Sequence, residues 1–552
     1  MSADQEFDSF VKDFFENTVK EHPVIATYLG IHTYDHMLPE VSRESMYRRI
    51  AMAENYLDRL HSIDKSALTG ERKYDYDIAE MFLEFWIFWY KELRFWEKDP
   101  DYVSLLGEAI YPLFSRRFAP PEKRAEKIVA RLNASEEFLK QAKTCIILPV
   151  RLWTEIALET CQRMPNFVNL VSNTMKNMVS ESLSKELEES SKKAVKAIKE
   201  YEEWLKDAVL PRAIKNFAIT KEQYDKLVQI RRLGLSTEQI LSLGEKYLSE
   251  FKQQLKEIAN QIKPGATIEE AKEIVKSKHP QTFDEALKVY KEAMEKAKKF
   301  IIEHAIATIP PEEKLEIIET PTFLRHIIPF AAYDPPAPFD KDQTGRYMVT
   351  PIENKPEMLK EHNYASIMNT TVHEGYPGHH LQLVCANKHP SLIRHLASLM
   401  SFIGTETIEG YAHWVEEYMS ELGYEDTPET RFVRTLDMLW RAVRIIVDIK
   451  LCTGQISFDE AVEMLVRETG MERPAAIAEV KRYTSTPTQP LSYLIGKHLI
   501  KQLREEVKKK MGEKYTDKFF IDTILYSGSA PYFVLKRIFE EKIKQQLQEP
   551  LW

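Results

Sequence analysis

His373-Glu374-Gly375-Tyr376-Pro377-Gly378-His379-His380 puts three imidazoles and a carboxylate within eight residues of a segment otherwise governed by helix periodicity. In the pattern H-E-x-x-H, two histidines at i and i+4 share one helix face and hold Zn²⁺, while the glutamate between them polarises the attacking water. Here Pro377 occupies i+4, so the simple spacing fails. Two ligands of one zinc ion each lie ~2.0–2.1 Å from the metal. Histidines six or seven positions apart on an unbroken helix are separated by about 9–10 Å along its axis. Either the stretch binds no single metal, or the helix is broken or bulged within it. Gly375 and Gly378 accept unusual φ/ψ, and Pro377 removes a backbone donor and clashes with the preceding turn. Extruding two residues brings His379 to the i+4 place; extruding three brings His380 there.

Such a site needs a third protein ligand and an open position for water. About thirty residues on, Glu406-Thr-Ile-Glu409-Gly-Tyr-Ala-His413-Trp-Val-Glu416-Glu417 places Glu409, His413 and Glu416 at i, i+4 and i+7, on one helix face. Glu409 is the expected ligand, and Glu416 the carboxylate that orients an imidazole N–H. A lone glutamate is commonplace on a chain this charged. Three of only 15 histidines falling in eight residues, with Glu374 at the required place, is not surface decoration.

Outward from the motif, the chain up to about residue 310 reads as successive amphipathic helices, with start signals at Ser236…Gln239, Thr267…Glu270 and Thr282…Glu285. Lys73 to Trp96 carries aromatics nearly all round, which reads as a buried helix, with an aromatic substrate groove as the alternative. Ser184 to Lys206 reads as a helix with a solvated face rather than an interaction coil. After Ile309-Pro310-Pro311 the character changes. Leu315–Thr320 and Arg346–Pro351 cluster β-formers around the proline-rich segment Tyr333–Phe339, predicting a small sheet and a long loop just before the motif helix. An extended peptide adding to a sheet edge would use such a sheet; a structural hairpin and connector is the plain alternative. The motif helix is expected to begin near Tyr364, one helix to open at Thr427-Pro428-Glu429 and another at Ser457…Glu460. The expected organisation is a helical N-terminal lobe over 1–310 and a metal-binding catalytic region over 311–552, intertwined as one unit.

Composition bounds the rest. A chain of 552 residues, 43% hydrophobic and 29% charged, has the make-up of a soluble globular protein rather than a disordered one. The net charge of −9 argues against a nucleic-acid partner. The N-terminal sequence lacks the basic start and apolar core of a secretory signal, and no run approaches the ~18 apolar residues of a membrane span. A cytoplasmic location without a membrane partner is the expectation. Cys145, Cys161, Cys385 and Cys452 are widely spaced with no C-x-x-C pair, so they read as reduced packing residues.

His373-Glu-Gly-Tyr-Pro-Gly-His379-His-Leu-Gln382 resembles the H-E-x-x-P-G-H-x-x-Q signature of a large prokaryotic family long catalogued as a domain of unknown function and regarded as zincin-like metallopeptidases. Ile408–Glu416 is similar to that family's E-G-W-A-x-Y-x-E helix. Arg441–Asp448, Arg482–Gly496 and His22–Gly30 resemble further blocks, so the likeness spans nearly the whole chain. It implies a mostly α, two-lobed helical zincin-like metallopeptidase with a small β element beside the metal helix and a deep central cleft. It also implies that His379 is the second ligand and His380 a neighbour, since the position after P-G-H varies. Tyr411, His413 and Thr488 depart from the family pattern, where Trp, Leu and Gly are usual. His413 is expected either to compete for metal or hydrogen-bond to substrate, or to be a satisfied polar neighbour.

The expected chemistry is zinc-dependent hydrolysis of short peptides, of carboxypeptidase or oligopeptidase type. His373, His379 and Glu409 hold one Zn²⁺, and Glu374 acts as general base and then acid. Tyr483 and Tyr493 are candidates for stabilising the oxyanion. Arg482, with Gln489 nearby, is a candidate for the substrate's terminal carboxylate; a salt bridge is the alternative, as for Asp437/Arg441 and Arg444/Asp448 at i, i+4. Two other classes fit the same residues: a metal-dependent hydrolase of non-peptide amides or esters, and a non-catalytic helical metal-binding protein.

Overall fold

The start signals open helices. Ser236, Thr267 and Ser457 each cap a helix with a reciprocal capping box, beginning Thr237–Ile262, Ile268–Ser277 and Phe458–Thr469. Thr282 supplies half of one: it accepts from Glu285 N–H, while the Glu285 carboxylate takes the Gln281 N–H instead. Thr427 caps Pro428–Cys452 with Pro428 in the first turn, where its missing N–H costs nothing. The computed structural model describes residues 2–325, 328, 330–352 and 355–548. The fold is mostly helical with one small sheet. Among the described residues no helix is long and apolar enough to cross a membrane.

The chain divides into two compact units. The first comprises Met1–Phe217, Ala337–Asp342 and Leu399–Ser401. In it the aromatic segment forms the helix Arg72–Ile87 and the turns that follow, and it is core: Phe82, Phe85 and Trp86 are buried, and Phe82 stacks on Trp86 at 5.4 Å. Each such ring contributes roughly 1.5–3 kcal/mol through the water it sheds. Glu181–Trp204 buries Leu187, Ala194, Ile198 and Tyr201 at helical spacing and leaves its Lys/Glu side in solvent, as read from the sequence. Cys145 and Cys161 are here, and Cys385 and Cys452 in the other unit; all four are free and buried.

The second unit comprises Ala218–Pro336, Gln343–Ser398 and Phe402–Trp552. Contacts therefore place the boundary at Phe217/Ala218, not at the change of character near residue 310. Residues 218–310 belong with the motif because they supply packing for it. Met294, for example, packs on the motif so closely that a Cβ on Gly375 would meet its sulfur at 2.2 Å. The sheet lies in this unit too. Strand β1 (Lys314–Glu319) runs parallel to β3 (Thr344–Val349), and β2 (Ala331–Asp334) runs antiparallel to it, with β3 in the centre. The register sets Tyr347 opposite both Ile317 and Tyr333.

Two glycines set one close helix crossing. Thr405–Glu421 and Ser492–Met511 touch backbone to backbone: a Cβ on Gly496 would lie 2.0 Å from Glu406 O, and one on Gly410 would lie 2.2 Å from Gly496 C. No side chain fits there. Glu406 beside the crossing is buried and answered by Arg231 at 2.9 Å and by Tyr532 N–H at 2.9 Å.

Candidate metal centre

Asn363 caps the motif helix, Tyr364–Glu374, by accepting from Ser366 N–H at 2.9 Å. The helix ends where the glycines and proline said it must. Gly375 leaves helical geometry at φ −106°, ψ −93°, the Tyr376–Pro377 peptide is cis, and a second helix, His379–Ala386, starts after Gly378. Of the break and the bulge that the sequence left open, the structure takes the break, stopping one helix and restarting another. At the restart, a Cβ on Gly378 would stand 1.9 Å from His373 O and 2.2 Å from Val372 O. Only glycine lets the second helix begin against the end of the first.

Four bonds fasten this break to one neighbour, the helix Thr405–Glu421. Tyr411 donates to Pro377 O at 2.7 Å, Gln382 donates to Thr407 O at 3.2 Å, and Asn369 donates to Glu416 Oε2 at 3.1 Å. The fourth joins His373 Nδ1 to Glu416 Oε1 at 2.6 Å. On the other side, the extruded residues are pinned to buried Glu313. Tyr376 OH and His380 Nε2 both bond it, the latter at 2.7 Å, and Lys298 pairs with it at 2.8 Å. Burial alone would raise the Glu313 carboxyl, but these donors hold it at about 2.

His373, His379 and Glu409 converge. Their donor atoms lie within 4.8 Å of one another, with His379 Nε2 3.3 Å and His373 Nε2 4.0 Å from Glu409 Oε2, and the two rings stand at 89°. Tetrahedral ligands at ~2.05 Å from zinc are about 3.3 Å apart, so the set needs only a slight inward shift to hold one. Burial raises the Glu409 carboxyl, yet the imidazoles of His379 and His373 outweigh it and keep Glu409 well below the carboxylate range. For His373, burial works against the proton, but the Glu416 bond and the charges of Glu416, Glu374 and Glu409 raise it to about 9. His373, His379 and Glu409 are thus a group that could hold a metal ion.

Glu374 ends the motif helix half-buried. Among the described residues its carboxylate has no hydrogen-bond partner, while its charge acts on His373, Tyr333 and Tyr347. His380 is turned away from the ligands: its nitrogens go to Glu313 and, at 2.9 Å, to Tyr333 OH, so it joins the motif to β2 rather than to the metal set. His413 Nδ1 meets Glu416 Oε1 at 3.1 Å, and burial drives its imidazole down to about 3 against the pull of Glu416. Its Nε2 is buried without a partner, so it is not the fully satisfied neighbour. His373, His413 and Glu416 form a second convergent group, but hydrogen bonds already occupy the atoms that converge.

The tyrosines part company. Tyr483 is wholly buried, donates to Glu479 at 2.6 Å and accepts from Arg444 at 2.8 Å. Tyr493 is half-buried with its ring 6.0 Å from that of His413, and its oxygen accepts from Gln489 at 3.4 Å, leaving its own O–H undirected. Arg482 takes the salt-bridge alternative, to Glu479 at 3.0 Å, and bonds Gln489 at 3.4 Å. Asp437 stays near Arg441 at 3.8 Å, but the Arg444/Asp448 pair does not form. Arg444 turns to Tyr483 and Glu479, and Asp448, raised by burial to about 7, accepts from Tyr224 and from the Thr488 N–H.

A family model described as "Bacterial protein of unknown function (DUF885)" matches residues 23–538. The chain belongs to that family. Two solved structures share the fold. One, from Shewanella oneidensis, provisionally described as a lipoprotein of unknown function, is 23% identical with TM-score 0.80 over 96% of this chain and 99% of that one. The other, from Colwellia psychrerythraea and also provisionally described as a lipoprotein, is 20% identical with TM-score 0.84 over 99% and 100%. No curated protein matches the chain. Within DUF885, this member's Tyr411 gains a use, since its hydroxyl ties the ligand helix to the break. Thr488 stands at φ +72°, a left-handed geometry that suits the glycine usual there and strains a β-branched residue. Sequence reading missed Glu313, Asn369 and Tyr333. Glu313 is one of four acids between Glu312 and Glu319, and nothing local sets it apart from the others.

Proposed function

We propose that this chain is a zincin-type metallopeptidase that hydrolyses short peptides, the substrate class implied by its resemblance to helical oligopeptidases and carboxypeptidases. The convergence of His373, His379 and Glu409 beside the unpartnered Glu374 carries the reading. A zinc ion held by these three residues supplies a Lewis acid for a carbonyl oxygen and a water of lowered pKa. Glu416 accepts His373 Nδ1–H, which fixes the tautomer and leaves the Nε2 lone pair for the ion. Glu374 takes a proton from the attacking water and returns it to the leaving amine. Tyr493, with its hydroxyl hydrogen uncommitted, donates to the developing oxyanion; Tyr483, committed to Glu479, positions Arg444 instead. The outer strands of the sheet are β1 and β2, and His380 couples β2 to the motif, an arrangement an extended peptide could lie beside.

The test combines metal analysis of the purified protein with cleavage of a peptide library read by mass spectrometry. One zinc per chain and defined cleavages are expected, with Glu374→Gln keeping the metal and losing turnover by roughly 10²–10⁴. Absence of stoichiometric metal under non-chelating conditions, or full turnover in Glu374→Gln, refutes the scheme.

A further inference from the structure

One turn of the helix Pro428–Cys452 holds a group of donors that the scheme above leaves unused. Arg441 and Arg444 flank Trp440, with guanidinium carbons 4.2 and 4.3 Å from its ring centroid. Arg444 is 4% exposed. Its Nε goes to Tyr483 and its Nη2 to Glu479 at 3.2 Å, but its Nη1 is buried with no partner. Arg441 reaches Asp437 through Nη1, at 3.4 Å to the backbone oxygen and 3.8 Å to Oδ1, and its Nε is likewise buried and unpartnered. Trp440 Nε1 is a third such donor. Leaving a guanidinium N–H buried without an acceptor is costly, and three donors on one turn with no acceptor among them await a group rich in lone pairs.

Arg441, Arg444 and Arg482 gather beside Asp437 and Glu479, and Glu416 also acts on Arg441, so it is the unpaired donors rather than a net charge that define the ligand. An anion with paired oxygens matches a guanidinium fork. Trp440, Arg441 and Tyr493 are half-buried, so part of each side chain reaches solvent while the unpaired donor atoms do not.

Position links it to the metal centre. Both guanidinium groups face Tyr493, at 4.5 Å for Arg444 and 5.9 Å for Arg441. The Tyr493 ring is 6.0 Å from His413, whose ring is 4.6 Å from the ligand His373. A few residues of extended peptide, at ~3.3–3.6 Å each, span that succession of contacts.

We propose that Arg441 and Arg444 bind the C-terminal carboxylate of the substrate, making the enzyme a carboxypeptidase that releases short C-terminal fragments. The assignment rests on the peptidase reading and moves the carboxylate site from Arg482, which is tied to Glu479 and Gln489, to the neighbouring helix. A peptide free of Asp and Glu tests it as the free acid and as its C-terminal amide, alongside the amide of the same sequence with one internal residue changed to Glu. The wild type is expected to cleave the free acid 10- to 100-fold better than the plain amide, chiefly through KM. Arg441→Met keeps the zinc content and loses that preference while the slow amide rate stands; Arg441→Lys, which keeps charge but not the fork, falls between. Binding of the free acid but not the amide to Glu374→Gln by calorimetry gives the same answer without turnover. Equal cleavage of free acid and plain amide by the wild type overturns the carboxylate site and leaves the peptidase reading standing. Preference for the Glu-containing amide over the free acid overturns the assignment to the terminus. Cleavage of none of the three overturns the peptidase reading and this one with it.

Discussion

Gly378→Ala is the sharpest test of how the two histidines are brought together. The added Cβ would lie 1.9 Å from His373 O, 2.2 Å from Val372 O and 2.5 Å from His373 C, where real side-chain carbons keep at least 3.0 Å. All three neighbours are backbone, so no rotamer change relieves the clash. Clearing it displaces the start of His379–Ala386 by about 1 Å from the end of the motif helix, against a contact potential that rises steeply below van der Waals separation. His379 is the first residue of that helix and His373 the carbonyl it must clear, so the whole displacement falls between two ligands. Metal and catalytic sites tolerate about 0.5 Å, and a 1 Å misplacement costs on the order of 10²-fold. The expected result is a zinc affinity weakened by about 10²-fold or more, measured by chelator competition, with far-UV circular dichroism unchanged because both helices persist. Wild-type affinity in Gly378→Ala would refute the account of the break, since it would mean the helices tolerate separation or the ligands are not these.

Glu416→Gln keeps the side chain's shape but replaces an oxygen that receives His373 Nδ1 and His413 Nδ1; zinc affinity is expected to fall 10- to 100-fold by competition titration, and an unchanged value removes Glu416 from the site. In metal-free protein, His373 has its value raised from ~6.5 to about 9, so its proton stabilises the fold fully below pH 6.5 and the contribution, roughly 3 kcal/mol, is lost as pH rises through 9. Thermal unfolding of the apoprotein should therefore lose several degrees between pH 6.5 and 9.5, and His373→Leu should flatten the trend. The same proton competes with the ion, so zinc affinity should climb close to tenfold per pH unit between 7 and 9. Thr488→Gly should relieve the strain of φ +72° and raise stability by about 0.5–1.5 kcal/mol in denaturant unfolding, net of the entropy glycine gains when unfolded; a loss would show that the Thr488 side chain is needed.

Much of the site was legible because its grammar is local. Gly375, Pro377 and Gly378 announce a break, and the i, i+7 spacing puts Glu409 and Glu416 on one face, so proximity along the chain carried most of the inference. What stayed hidden depends on partners far apart in sequence. Nothing near Glu313 says that it will meet Tyr376 and His380, and the Arg444/Asp448 spacing invited a salt bridge that tertiary partners overrode. The contact units divide at Phe217/Ala218 rather than near residue 310 for a related reason: a change in local character marks where strands begin, whereas membership of a unit is decided by what packs on what. The sequence put Arg482 forward for the carboxylate and gave Arg444 to Asp448; burial and the unpaired Nη1 of Arg444 point the other way.

The fastening of the break to Thr405–Glu421 bears on what can be moved between proteins. In an H-E-x-x-H helix the two imidazoles are held in register by the helix itself, so five residues carry the geometry wherever a helix exists. Here Pro377, Gln382, Asn369 and His373 are all gauged against a single third helix, through Tyr411, Thr407 and Glu416. The octapeptide grafted alone onto another helical scaffold would carry its ligands without its ruler. The smallest transplantable part is three helices and the Gly410/Gly496 crossing that seats the third, which makes the centre a property of an assembly rather than of a motif.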